Sequence, residues 1–192
     1  MPGPYAELLT TADTGMKKTE TTEMYEFTLR FSLSNADEDP SVHLDALFEA
    51  GCDDAAVGVG KRGAVALAFA REAGSAEEAV RSALRQVREA LPHACFIEVS
   101  PDLVNLADVA DLLGCSRQNI RKYASGEIKT VTAPFPEPIL GGATSYWRLY
   151  DVLSWLGKHT PWRPPSGMTE LSLVAARINL EHQLDQLKVA SG

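Results

Sequence analysis

From Met24 the chain reads MYEFTLRFSL, with Tyr25, Phe27, Leu29, Phe31 and Leu33 alternating against Glu26, Thr28, Arg30 and Ser32. A two-residue period of this kind predicts a half-buried strand whose odd positions face a core. SNADEDP interrupts the pattern, and SVHLDALFEAG then sets Val42, Leu44, Leu47 and Phe48 near helical spacing, with Ser41 as the expected N-cap and Gly51 as the stop. Two apolar runs follow on either side of Lys61-Arg62-Gly63, which predicts a hairpin. Ser75 and Glu78 have capping-box spacing, and Ala79, Val80, Ala83, Leu84, Val87 and Leu91 share one face of the helix they open. ACFIEVS returns as a strand. Over residues 23–103 the expected order is therefore strand, helix, strand, strand, helix, strand, that of a ferredoxin-like α+β domain with its helices on one sheet face.

Gly58, Gly60 and Gly63 match the G-x-G-x-x-G spacing of dinucleotide-binding loops. That motif has to open a helix, whose N-terminal amides hold the pyrophosphate. Here residues 64–70 continue as a strand, so the glycines read as turn residues.

At Leu106 the period changes. Leu106, Val109, Ala110 and Leu113 line one helical face, Gly114 can take the left-handed conformation that ends a helix, and Ser116 can cap a second helix, SRQNIRKYA. A small Ala110, a glycine turn and an inward Ile120 suit two helices crossing closely, as in a helix-turn-helix. The second helix would then expose Arg117, Gln118, Asn119, Arg121 and Lys122, and no acid occurs within residues 115–126. Arginine pairs with guanine O6 and N7, and Gln or Asn with adenine N6 and N7, so this face suits the major groove. The plainer alternative is a solvated face on a helical hairpin used for protein contacts. Downstream, a proline-stiffened arm at residues 135–138, a Gly141-Gly142 turn and a strand-like SYWRLY predict a small wing. Asp151 would open a short helix with Val152, Trp155 and Leu156 inward.

LADVADLLGCSRQNIRKY, FPEPI and YWRLYDVLSWL together resemble the excisionase/AlpA branch of the MerR-like winged helix-turn-helix family, over residues 104 to about 157. The resemblance implies double-stranded DNA as partner, with Ser116, Arg117, Gln118, Asn119, Arg121 and Lys122 on a recognition helix. It implies phosphate contacts from Lys129 and Arg148. Trp147 and Trp155 read as core anchors, because a module this small needs large apolar groups.

Composition changes this picture in one respect. Apolar residues are 45% and charged residues 23%, ordinary for a globular protein, but the formal net charge is -8, and DNA repels acid. The acid is unevenly placed: residues 23–103 hold seven bases against fifteen acids, whereas residues 104–160 hold six against five. The expectation is an acidic domain kept off the duplex beside a near-neutral module whose cations are clustered. Affinity would then depend on sequence readout and on dimerisation.

For the dimer the candidate element follows the Pro-rich linker TPWRPPSG. Residues 168–189 carry one row of Leu171, Val174 and Ile178 and a second of Leu173, Leu180, Leu184 and Leu187, which either packs on the chain's own core or pairs with a second copy. Pairing is expected, since twofold proteins match palindromic half-sites.

Cys52, Cys95 and Cys115 are far apart and read as packed thiols; His43, His93, His159 and His182 are isolated. No GxSxG, HExxH, Walker or kinase pattern occurs, so no enzyme, catalytic residue, cofactor or metal is expected. Residues 1–22, rich in Thr, Gly and Pro, read as a flexible tail with Met16 and Met24 as alternative starts, and neither a signal segment nor a membrane span is evident. The expected protein is a cytoplasmic, sequence-specific DNA-binding regulator whose N-terminal domain senses a small ligand or holds a protein partner. An antitoxin that autoregulates its operon and an excisionase-like recombination factor are the alternatives.

Overall fold

The computed structural model describes residues 22–190; apart from Thr22, the expected tail lies outside them. The fold is mixed α and β, with a four-stranded antiparallel sheet, a two-stranded sheet and six α-helices among the described residues.

The first strand, β1 (Glu23–Ser32), buries Tyr25, Phe27, Leu29 and Phe31 and turns Glu26 and Arg30 outward, as the alternation requires. It is followed by a turn of 3-10 helix (Pro40–His43) and a short α1 (Leu44–Glu49). Here the structure departs from expectation. Asp39, not Ser41, is the cap, its carboxylate accepting from the Ser41 amide at 3.0 Å, and Pro40 occupies the first position, where a missing N–H costs nothing. Breaking the segment in two destroys the single apolar face. Leu47 is buried, while Val42 (67%) and Phe48 (68%) are exposed.

Strands β2 (Ala55–Gly58) and β3 (Ala64–Ala73) form the expected hairpin. Gly63 closes it at φ +70°, and a Cβ there would stand 2.5 Å from the Ala36 carbonyl oxygen. Helix α2 (Ala76–Ala90) is capped by Ser75, which accepts from the Glu78 amide at 3.2 Å, but Glu78 reaches back to Gly74 and not to the cap residue. With β4 (Cys95–Ser100) the sheet runs β2-β3-β1-β4. Phe27 stacks on Phe69 across β1 and β3, and Phe31 meets Phe96 edge-on across β1 and β4. Arg71, buried in this domain, is held by Asp54 at 2.7 and 2.8 Å and lies over the Phe69 ring. Cys52 and Cys115 are at least partly packed, and burial pushes both thiols up; Cys95, expected to be packed, is exposed.

The second module comprises β5 (Leu103–Val104), α3 (Leu106–Leu112), α4 (Arg117–Ala124), β6 (Trp147–Arg148) and α5 (Leu149–His159), with β5 antiparallel to β6. SYWRLY is less of a strand than its composition suggests. Only Trp147 and Arg148 pair with β5, and Leu149 and Tyr150 already belong to α5, so that Asp151 lies in its first turn and does not cap it.

The last element, α6 (Ser166–Ala190), joins the two halves. Leu171, Val174, Ala175 and Ile178 enter the core of the first domain, and Met168 packs against that of the second. Together α2 and α6 cover the sheet face, and α1 packs on α2. The docking is also polar. Glu170 accepts from the Tyr25 hydroxyl and from the Ala76 amide at the start of α2, both at 3.1 Å, and Arg177 pairs with Glu77. Burial and the Glu170 carboxylate push the Tyr25 phenol up to about 12. Of the two apolar rows predicted here, one is thus spent inside the chain. The second, Leu173 (42%), Leu180 (51%), Leu184 (55%) and Leu187 (66%), stays exposed. No helix among the described residues is long and apolar enough to cross a membrane.

Candidate nucleic-acid interface

Helices α3 and α4 are short, and each end is closed by local chemistry. Asn105 caps α3, accepting from the amides of Ala107 and Asp108, while Asp108 accepts from the Asn105 amide, completing a capping box that the sequence reading overlooked. At the other end Gly114 takes φ +62°, with the Cys115 amide donating to Ala110 and the Gly114 amide to Asp111. That is the Schellman arrangement, and it satisfies carbonyls that a seven-residue helix would otherwise leave open. Ser116 then caps α4 through the Asn119 amide at 3.2 Å. A second Schellman turn at Gly126 (φ +70°) ends α4, the Glu127 amide donating to Lys122.

Between the helices Val109, Ala110 and Ile120 are buried, at 0, 0 and 2% exposure. Ile120 is the buried residue of α4, so the helix is held by one side and its flanks stay free. Arg117, Gln118, Asn119, Arg121 and Lys122 are all exposed, and the structure brings the five together on this one element. Arg117 reaches back to Asp111 at 3.3 Å, but with 70% and 66% of the two side chains exposed, the pair is worth at most about 1 kcal/mol and does not fix the guanidinium. The hydroxyl of Ser116 is engaged as the cap, and Lys129 is exposed in the segment after α4.

Beyond α4 the chain forms the proline arm. Phe135 stands edge-on to Trp147 and Trp155, at 6.1 and 5.0 Å between ring centroids, and the Trp147 indole donates to the Pro136 carbonyl at 2.8 Å. Trp155 is buried and Trp147 packs against the same core, so both tryptophans anchor the module. Leu140 and Tyr146 exchange backbone hydrogen bonds across the Gly141-Gly142 turn, an isolated antiparallel bridge where a wing was expected.

Arg148, expected as a phosphate contact, is less exposed than Lys129 and the expected contacts on α4. Its side chain is 16% exposed and bonds at 2.7 Å to Asp102, whose own side chain is 8% exposed. In the structure Arg148 thus serves as the cation of a buried carboxylate, which would otherwise be left unpaired. Asp102 also accepts from the Asn179 amide at 2.9 Å, and its carbonyl accepts from the Leu149 amide at 2.7 Å. Asn179 in turn donates to the Val99 carbonyl and accepts from the Val99 amide, both at 2.8 Å, closing backbone groups of edge strand β4. Neither residue was singled out from the sequence. The available signal was Asn179 itself, a polar residue on the inward row of Leu171, Val174, Ala175 and Ile178.

No protein-family model, curated protein or solved structure matches this chain.

Replacing Arg148 by alanine leaves Asp102 buried without its cation and should cost about 2–4 kcal/mol of stability in urea unfolding. A side chain serving only as a phosphate contact would leave the midpoint unchanged.

Proposed function

We propose that this chain is a sequence-specific, cytoplasmic DNA-binding regulator that lays α4 in the major groove, with the wing at residues 139–146 against the flanking backbone. The observation that carries the reading is the presentation of Arg117, Gln118, Asn119, Arg121 and Lys122, exposed on a capped helix held through Ile120. Bidentate donors that meet base edges have to arrive on an element that does not move. The order α3, glycine turn, α4, wing, α5 agrees with a winged helix-turn-helix of the MerR-like, excisionase-related kind. Element order and the strand order β2-β3-β1-β4 in the acidic half agree with a ferredoxin-like domain.

Six bases against five acids make a weak non-specific binder, so two heads acting together are required for useful affinity. The exposed leucine row of α6 supports a homodimer. Leu173, Leu180 and Leu187 recur at seven residues with Leu184 between them, the spacing of a helix-pairing seam.

In mobility shifts on the chain's own upstream region, Arg117→Ala combined with Arg121→Ala should lower specific affinity at least about 30-fold, each lost base contact being worth about 1–3 kcal/mol. Unchanged affinity would remove α4 as the reading helix. Light scattering at micromolar concentration should give the mass of two chains, and Leu180→Glu with Leu184→Glu should halve it; a monomeric wild type would end the pairing proposal.

A further inference from the structure

Beside the reading helix lies a cleft of about 450 Å³, the size of a site for a small organic molecule. One wall is the last turn of α4 with its Gly126 turn; the opposite wall is the proline arm. Tyr123, Phe135 and Trp147 contribute aromatic surface. Their rings are positioned by the edge-on contacts of Phe135 with Trp147 and Trp155, by the 5.8 Å contact of Tyr123 with Trp155, and by the Trp147 indole bond to Pro136.

The charge inventory of the cleft is one-sided. Glu137 is its charged residue, and no Lys, Arg or His is found among the described residues that line it. Pro134, Pro136 and Pro138 have no N–H to donate, and the Pro136 carbonyl already accepts from the Trp147 indole. The Trp147 N–H, a donor that an anion would need, is already engaged. Aromatic rings and a carboxylate are groups that stabilise a positive charge. The other side-chain donors of the lining are the uncharged hydroxyls of Tyr123, Ser125 and Thr132, so an anion would find no counter-charge there, and a neutral group would leave the Glu137 carboxylate without one.

We propose that this cleft is a binding site for a small organic cation of the tertiary or quaternary ammonium class, with Tyr123, Phe135 and Trp147 as its aromatic walls and Glu137 as the counter-charge. A quaternary ammonium has no N–H to satisfy and sheds water more readily than a primary amine, which suits a site with one carboxylate. The proposal stands on the cleft itself and not on the DNA reading, so either can fail alone.

The test uses the full chain titrated with choline, followed by tryptophan fluorescence and by amide chemical shifts. The neutral isostere 3,3-dimethylbutan-1-ol and acetate serve as controls. A fragment this small should bind with a dissociation constant of about a millimolar, and the neutral isostere at least about tenfold more weakly. Shifts should concentrate in residues 123–138 and at Trp147. Glu137→Gln, a change at an exposed side chain that leaves the unfolding midpoint in place, should weaken choline about three- to tenfold and reduce the salt dependence of binding. Equal binding of the isostere or of acetate, shifts centred elsewhere, or undiminished affinity in the Glu137 variant would each overturn the proposal.

Discussion

A carboxylate taken out of water has to be paired, and Asp102 is paired through both of its oxygens. Arg148, at the head of α5, holds one and Asn179, in the middle of α6, holds the other. The Asp102 carbonyl receives the first amide of α5, and Asn179 carries the connection on to both backbone groups of Val99 in the large sheet. Three parts of the chain far apart in sequence meet in this network: the end of the sheet domain, the strand that begins α5, and the closing helix. Losing Arg148 leaves Asp102 without its cation, and losing Asn179 opens both backbone groups of Val99, so the network ties the two modules together. Its apolar complement is α6, which places Leu171, Val174 and Ile178 in one core and Met168 against the other.

On the DNA-binding reading proposed above, this junction accounts for how an acidic protein could present the face of α4 to a duplex. The fifteen acids of residues 23–103 belong to the sheet domain, whereas the cations of α4 stand on a helix whose ends are closed by Ser116 and Gly126. Were the modules free to tumble, the acidic domain would sample positions near the phosphates of the proposed duplex. With α6 fastened to β4, α2 and α5, that freedom is removed, and the repulsion becomes a fixed orientation effect.

Much of this was legible in the sequence, for identifiable reasons. The alternation in β1, the amphipathic α2 and the hairpin at Gly63 are strong periodic or steric signals that tertiary context does not overturn. Gly114 and Ser116 marked the turn between α3 and α4 because a left-handed residue and a cap have few substitutes. Other features depended on competition between local signals. Proline and Asp39 split the 40–49 segment into a 3-10 turn and a short helix, so Val42 and Phe48, at apparently helical spacing, face outward. The pairing of Arg148 with Asp102 was not legible because the two lie 46 residues apart in sequence, and long-range ion pairs carry no periodicity. For the same reason the last helix could be read as self-pairing or as core-packing; its inner row packs inside the chain, and its outer row remains exposed.

The account depends most on Asp102 acting as a shared node, and a double-mutant cycle between Arg148 and Asn179 tests that directly. Urea unfolding of Arg148→Ala, Asn179→Ala and the combined variant gives the coupling. Either single change should open the junction and let water reach Asp102, so that the second change costs less. The combined loss should then fall short of the sum by at least about 1 kcal/mol. Losses that add to within about 0.3–0.5 kcal/mol, the margin expected of independent sites, would contradict the shared node.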